Sequence, residues 1–128
     1  MTPEAAGHFA KAQEYLAEAR ALLDVLHYTD GAGRAAYLAG YHAAQALIFD
    51  CTGREAKTYK GVHSQFDTLV KNDPWFDVEL RRFLIWTYDL KATADDEFGP
   101  DSAVPLERVE AAIATAIRFV ACVESLLA

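Results

Sequence analysis

The chain has 128 residues, 52% hydrophobic and 12% aromatic, with a formal net charge of −7. This length and composition exclude a disordered segment and fit one domain, which buries about two-thirds of the surface its unfolded chain exposes. The acidic balance excludes non-specific nucleic-acid binding over the whole surface and leaves room for a local basic patch.

The first helix is expected over about residues 3–27, with Thr2 as N-cap, Pro3 at the first helical position and Glu4 complementing the dipole. Ala5, Phe9, Ala12, Leu16, Ala19, Leu23 and Leu26 recur in four-three steps, the mark of one buried helical face. Tyr28-Thr29-Asp30-Gly31 reads as a turn. A second helix over about residues 32–50 is apolar nearly all round and should be the central one, with alanines that let neighbours approach closely. Gly53 is its expected stop.

A loop over residues 54–61 leads to a short third helix over about 62–71, with Val62, Phe66, Leu69 and Val70 inward, broken by Asn72-Asp73-Pro74. The fourth helix is expected over about 76–94, its stripe being Phe76, Leu80, Phe83, Thr87, Leu90 and Ala94. Phe98-Gly99-Pro100-Asp101-Ser102 reads as a turn, and Pro105 opens a last helix with Val109, Ala112, Ala116, Phe119, Val123 and Leu126 inside. The expected fold is therefore all-α, an antiparallel up-and-down bundle of four to five helices in a single domain over residues 1–128. Ile85, Trp86 and Tyr88 add up to an apolar patch on the fourth helix, either covered by a fifth helix or used by a homodimer, the latter being the expected use.

No stretch approaches the roughly 18 apolar residues of a membrane span. The start of the chain has neither a basic segment nor an apolar run, so no signal peptide and a cytoplasmic location are expected. Cys51 and Cys122 lie far apart in apolar helical stretches without a C-x-x-C, and read as buried thiols in a reducing compartment. No cofactor is indicated.

Three regions can carry chemistry. On the second helix Tyr37, Tyr41 and Gln45 lie one turn apart, bordered by Arg34 and Leu38, with His42 alongside. They are either packed aromatics with satisfied polar ends or the wall of a pocket for a base or a phosphate. The loop with Arg54, Lys57, Tyr59, Lys60, Gly61 and His63 is the one locally basic stretch. It is either solvated or, with a helix N-terminus behind Gly61, an anion site. Lys91-Ala92-Thr93-Ala94-Asp95-Asp96-Glu97 sets three carboxylates at the helix end that disfavours them. Lys91 and Asp95 are four apart in the weaker order. The run is either a solvated end or a site where Asp95 and Asp96 orient a base or pair with an arginine of a partner protein; a metal is poorly supported, because adjacent residues point to different faces. No G-x-S-x-G and no informative Cys/His spacing point to a nucleophilic hydrolase.

The stretch Arg34-Ala35-Ala36-Tyr37-Leu38-Ala39-Gly40-Tyr41-His42-Ala43-Ala44-Gln45-Ala46-Leu47-Ile48 resembles the second helix of small stand-alone HEPN proteins, which carry a Y-Y-A-x-F-H-A-A-x-A-L pattern. Lys57-Thr58-Tyr59-Lys60-Gly61-Val62-His63 is similar to their K-T-H-K-G-x-x loop, and Lys91 through Asp96 to their R-x-x-A-D-Y segment. The resemblance runs from about residue 8 to the end. It implies a four- or five-helix bundle that dimerises, often encoded beside a minimal nucleotidyltransferase and acting with it as toxin and antitoxin. Many members are metal-independent ribonucleases with an R-x4-6-H motif.

This chain departs from that pattern. Lys91 stands in place of arginine, Asp96 of tyrosine and Tyr59 of histidine, and no histidine follows Lys91. Arg20 and His27 fit the spacing on the wrong helix. A lysine contacts phosphate as a point charge and not as a fork, and cleavage without a nearby histidine lacks its usual proton carrier. The expectation is a homodimeric HEPN-like partner of a nucleotidyltransferase in a toxin–antitoxin or related stress system, binding RNA or nucleotide through Tyr37, Tyr41, Lys57, Tyr59, Lys60 and His63. The alternatives are a ribonuclease toxin using Lys91 and Asp95 with His42 or His63 as proton carrier, and a small nucleotide- or anion-binding module.

Overall fold

Five helices follow one another in the computed structural model, which describes residues 1–96 and 104–127. They are α1 (Pro3–Asp24), α2 (Thr29–Thr52), α3 (Tyr59–Val70), α4 (Val78–Asp96) and α5 (Leu106–Leu126), with no strand among the described residues. The expected turn at residues 98–102 lies outside them.

The ends are set by side chains that satisfy free backbone N–H groups. Thr2 Oγ1 accepts from Ala5 N at 3.1 Å, Thr58 Oγ1 from Gly61 N at 2.9 Å and Asp77 Oδ1 from Leu80 N at 2.9 Å. Gly53, at φ 80°, closes α2 in the left-handed region that only glycine enters at no steric cost.

Several boundaries differ from expectation. Tyr28–Gly31 is not a turn: α1 stops at Asp24, His27 takes a φ of 54°, and α2 is already under way at Thr29. Leu26 therefore lies beyond the helix whose stripe it seemed to continue, and is 67% exposed. Tyr59, Lys60 and Gly61 form the first turn of α3, because Thr58 caps it four residues before Val62. Leu69 faces outward, while Val62, Phe66 and Val70 are buried. Cys51 is exposed near the end of α2, so it is not a buried thiol.

α2 is the hub and touches all four other helices. Ala35, Ala36, Ala39, Ala43, Ala44 and Ala46 are buried, and Gly40 admits the Phe83 ring of α4 so closely that a Cβ would fall 2.5 Å from its edge. The pairs α1 with α2, α2 with α4, and α4 with α5 pack antiparallel. His8 near the start of α1 meets His42 late in α2, Arg34 early in α2 meets Asp95 at the end of α4, and Glu79 early in α4 meets Arg118 late in α5. Between α3, α4 and α5 lies an aromatic core of Phe66, Phe76, Phe83 and Phe119. On α4, Val78 and Ile85 face outward, while Tyr88 does not join that patch; it turns inward under α3. No helix among the described residues is long and apolar enough to cross a membrane.

Candidate functional site

One edge of α2 gathers residues from α3 and α4. Tyr37 is fully buried, and its hydroxyl lies 2.7 Å from His63 Nε2 on α3. Around it stand Tyr88 at 5.5 Å between ring centroids, and Tyr41 and Tyr59 at 6.2 Å each. Tyr59 and Tyr88 touch one another, as do His63 and Tyr88. Lys91 reaches in from α4 and sets its ammonium 4.6 Å from the Tyr59 ring centroid, within cation–π range. Its Nζ is 2.7 Å from Asp95 Oδ2, and Arg34 Nε donates to the other carboxylate oxygen at 2.8 Å. The edge is thus two cations around one carboxylate, backed by four tyrosines and a histidine.

The electrostatics follow from burial and pairing. Burial and then the neighbouring tyrosines raise the Tyr37 hydroxyl, which stays protonated. Burial lowers the His63 imidazole, so it is neutral at neutral pH. The contact with Asp95 raises Lys91, and Lys91 ahead of Arg34 lowers Asp95, so the three remain charged together.

The loop before α3 is held by Gln45, one turn beyond Tyr41. Its amide nitrogen donates to the Ala56 carbonyl at 2.9 Å, and the Ala56 N–H donates to its oxygen at 3.0 Å. This clamp fixes where Lys57 and the Thr58 cap begin.

His42 belongs elsewhere. A step of one residue along a helix rotates a side chain by about 100°, which carries it past Tyr41 to the α1 side. There its Nδ1 faces His8 Nδ1 at 3.1 Å, the Tyr15 ring lies parallel at 5.5 Å, and His8 Nε2 binds Glu55 at 2.8 Å. The Tyr41 ring separates it from Tyr59. The expected trio of Lys91, Asp95 and His42 is therefore split. Lys57 also lies on the α1 side, lining an open depression of about 720 Å³ with Lys11, His42 and Arg54. Lys60 and His63 share a smaller depression with Ile85. Arg34 and Tyr88 are the residues that sequence reasoning left out of the site.

His42 gives a pH signature. Burial, then His8 and Lys11, lower it to about 4 from an ordinary 6.5. The unfolded chain takes up the proton first, so stability present above about pH 6.5 is lost as pH falls toward 4. His63 is shifted in the same direction. The melting temperature should drop between pH 7 and 4.5, and His42→Leu should flatten that slope; equal slopes in both proteins would refute the linkage.

The family model described as the HEPN domain matches residues 5–126. The chain belongs to the HEPN family. The match covers all five helices of this HEPN domain almost in full. Among curated proteins none matches it. Among its described residues, no group of three His, Cys, Asp or Glu side chains is placed to hold a metal ion.

Proposed function

We propose that this HEPN protein binds single-stranded RNA at the α2–α3–α4 edge, and acts as the homodimeric helical partner of a nucleotidyltransferase in a toxin–antitoxin or related stress system. The observation that carries the RNA reading is the pairing of Arg34 and Lys91 beside the partly exposed rings of Tyr41, Tyr59 and Tyr88, with the buried Tyr37 behind them. Cations that track phosphates beside rings that stack bases are what single strands require. In a chain of net charge −7 such binding is local and salt-sensitive. The nucleotidyltransferase and the stress setting rest on family resemblance. The dimer is supported by Val78 and Ile85, both about two-thirds exposed on one face of α4.

Fluorescence anisotropy with a short single-stranded RNA at low salt tests the reading. Arg34→Ala and Lys91→Ala should each weaken binding about tenfold or more, the size of a lost charge-assisted hydrogen bond. No binding by the parent chain, or variants that bind equally well, would refute it. Co-purification with a co-expressed minimal nucleotidyltransferase, and light scattering for the dimer, test the partners separately.

His63 favours a second reading, metal-independent RNA cleavage. A neutral imidazole beside the Tyr37 hydroxyl, in the same cluster as Lys91, is a candidate proton carrier. Cleavage that His63→Ala abolishes and His42→Ala spares would select it.

A further inference from the structure

Asp95 sits where charge alone would not put it. It lies in the last turn of α4, where the helix dipole is negative and a carboxylate is disfavoured. Arg34 and Lys91 hold it there, one on each carboxylate oxygen, at 2.8 and 2.7 Å. Two cations from two helices, each taking one oxygen of one anion, is the contact pattern that the two unesterified oxygens of a phosphodiester would satisfy. The carboxylate is also free to leave. Its side chain is 31% exposed and the helix ends one residue later, so leaving the two cations brings it into water. When it swings out, Lys91 keeps the Tyr59 ring as a second support.

We propose that Asp95 is a resident phosphate mimic: it occupies the seat of an RNA phosphate on Arg34 and Lys91, holds the empty site closed, and is displaced when RNA binds. This rests on the RNA-binding reading above and adds the sign of one residue's effect. A carboxylate that positions the cations for a ligand and one that competes with the ligand predict opposite outcomes.

Asp95→Asn keeps the shape and removes the charge. In the anisotropy assay with single-stranded RNA it should bind roughly tenfold tighter, as expected when a like charge a few ångströms from a phosphate is removed near a protein surface. Adding Lys91→Ala should erase the gain. Circular dichroism checks the fold, and Asp95→Ser repeats the test if the asparagine variant folds poorly. If Asp95→Asn binds RNA equally or more weakly while Lys91→Ala still weakens binding, Asp95 is a positioning residue; the mimic is overturned and RNA binding stands. If Arg34→Ala and Lys91→Ala leave RNA binding unchanged, the RNA reading falls and the mimic falls with it.

Discussion

Phe119→Ala should lower the unfolding free energy by about 3–5 kcal/mol. Phe119 is fully buried, and its ring lies 4.9 Å from Phe66, 5.2 Å from Phe83 and 6.2 Å from Phe76 between centroids. It therefore joins α5 to α3, to α4 and to the segment between those two. Removing it leaves a void that three other rings cannot collapse into without breaking their own edge-to-face contacts. Urea unfolding should show a lower midpoint with an unchanged slope. Ile117, two residues earlier and 45% exposed, is the control, and Ile117→Ala should stay within about 0.5 kcal/mol. A loss below about 1 kcal/mol at Phe119 would mean that these rings are not the core they form here.

Gln45→Ala should cost about 2–4 kcal/mol although it removes only one buried methylene of apolar packing. Gln45 is 2% exposed and satisfies both the N–H and the carbonyl of Ala56, while also donating to the Tyr41 hydroxyl at 3.2 Å. Truncation leaves two buried backbone groups without partners, and each carries a desolvation penalty. Gln45→Leu fills the space without restoring the bonds and should be nearly as costly. Both should expose the Ala56 amide to hydrogen exchange, and both should weaken RNA binding, because the clamp sets the start of α3 and hence Tyr59 and His63. Retained exchange protection in Gln45→Leu would show that the loop is held by something else.

The sequence made the framework readable because burial leaves a periodic trace. Phe9, Ala12, Ala19 and Leu23 recur on one face of α1, and Phe76, Leu80, Phe83, Thr87 and Leu90 on one side of α4 and the segment before it, all buried. Periodicity says nothing about where a helix ends, so the pattern points Leu26 and Leu69 inward although they lie outside. It is equally silent about partners far away in the chain. Tyr37, Tyr41 and Lys91 were singled out from α2 and α4, but the Arg34–Asp95 pair spans 61 residues and leaves no local pattern. Tyr88 lies off the core stripe and so read as exposed, whereas α3 supplies the cover that a one-helix view omits. His42 was grouped with its neighbours in sequence, and one residue of helical rotation assigned it to His8 instead.

The alanines and glycines of α2 have a thermodynamic side as well as a steric one. Ala and Gly have no rotamers to lose, so the six alanines and one glycine among residues 35–46 take up their places at almost no side-chain entropy cost. Of the larger groups in that segment, Tyr37, Tyr41, His42 and Gln45 are fixed by hydrogen bonds and ring contacts and Leu38 by burial. Under the proposed RNA-binding function, an incoming strand would meet a wall that is already ordered. The flexibility it must restrain is largely its own, together with the arginine, lysine and aspartate at the rim.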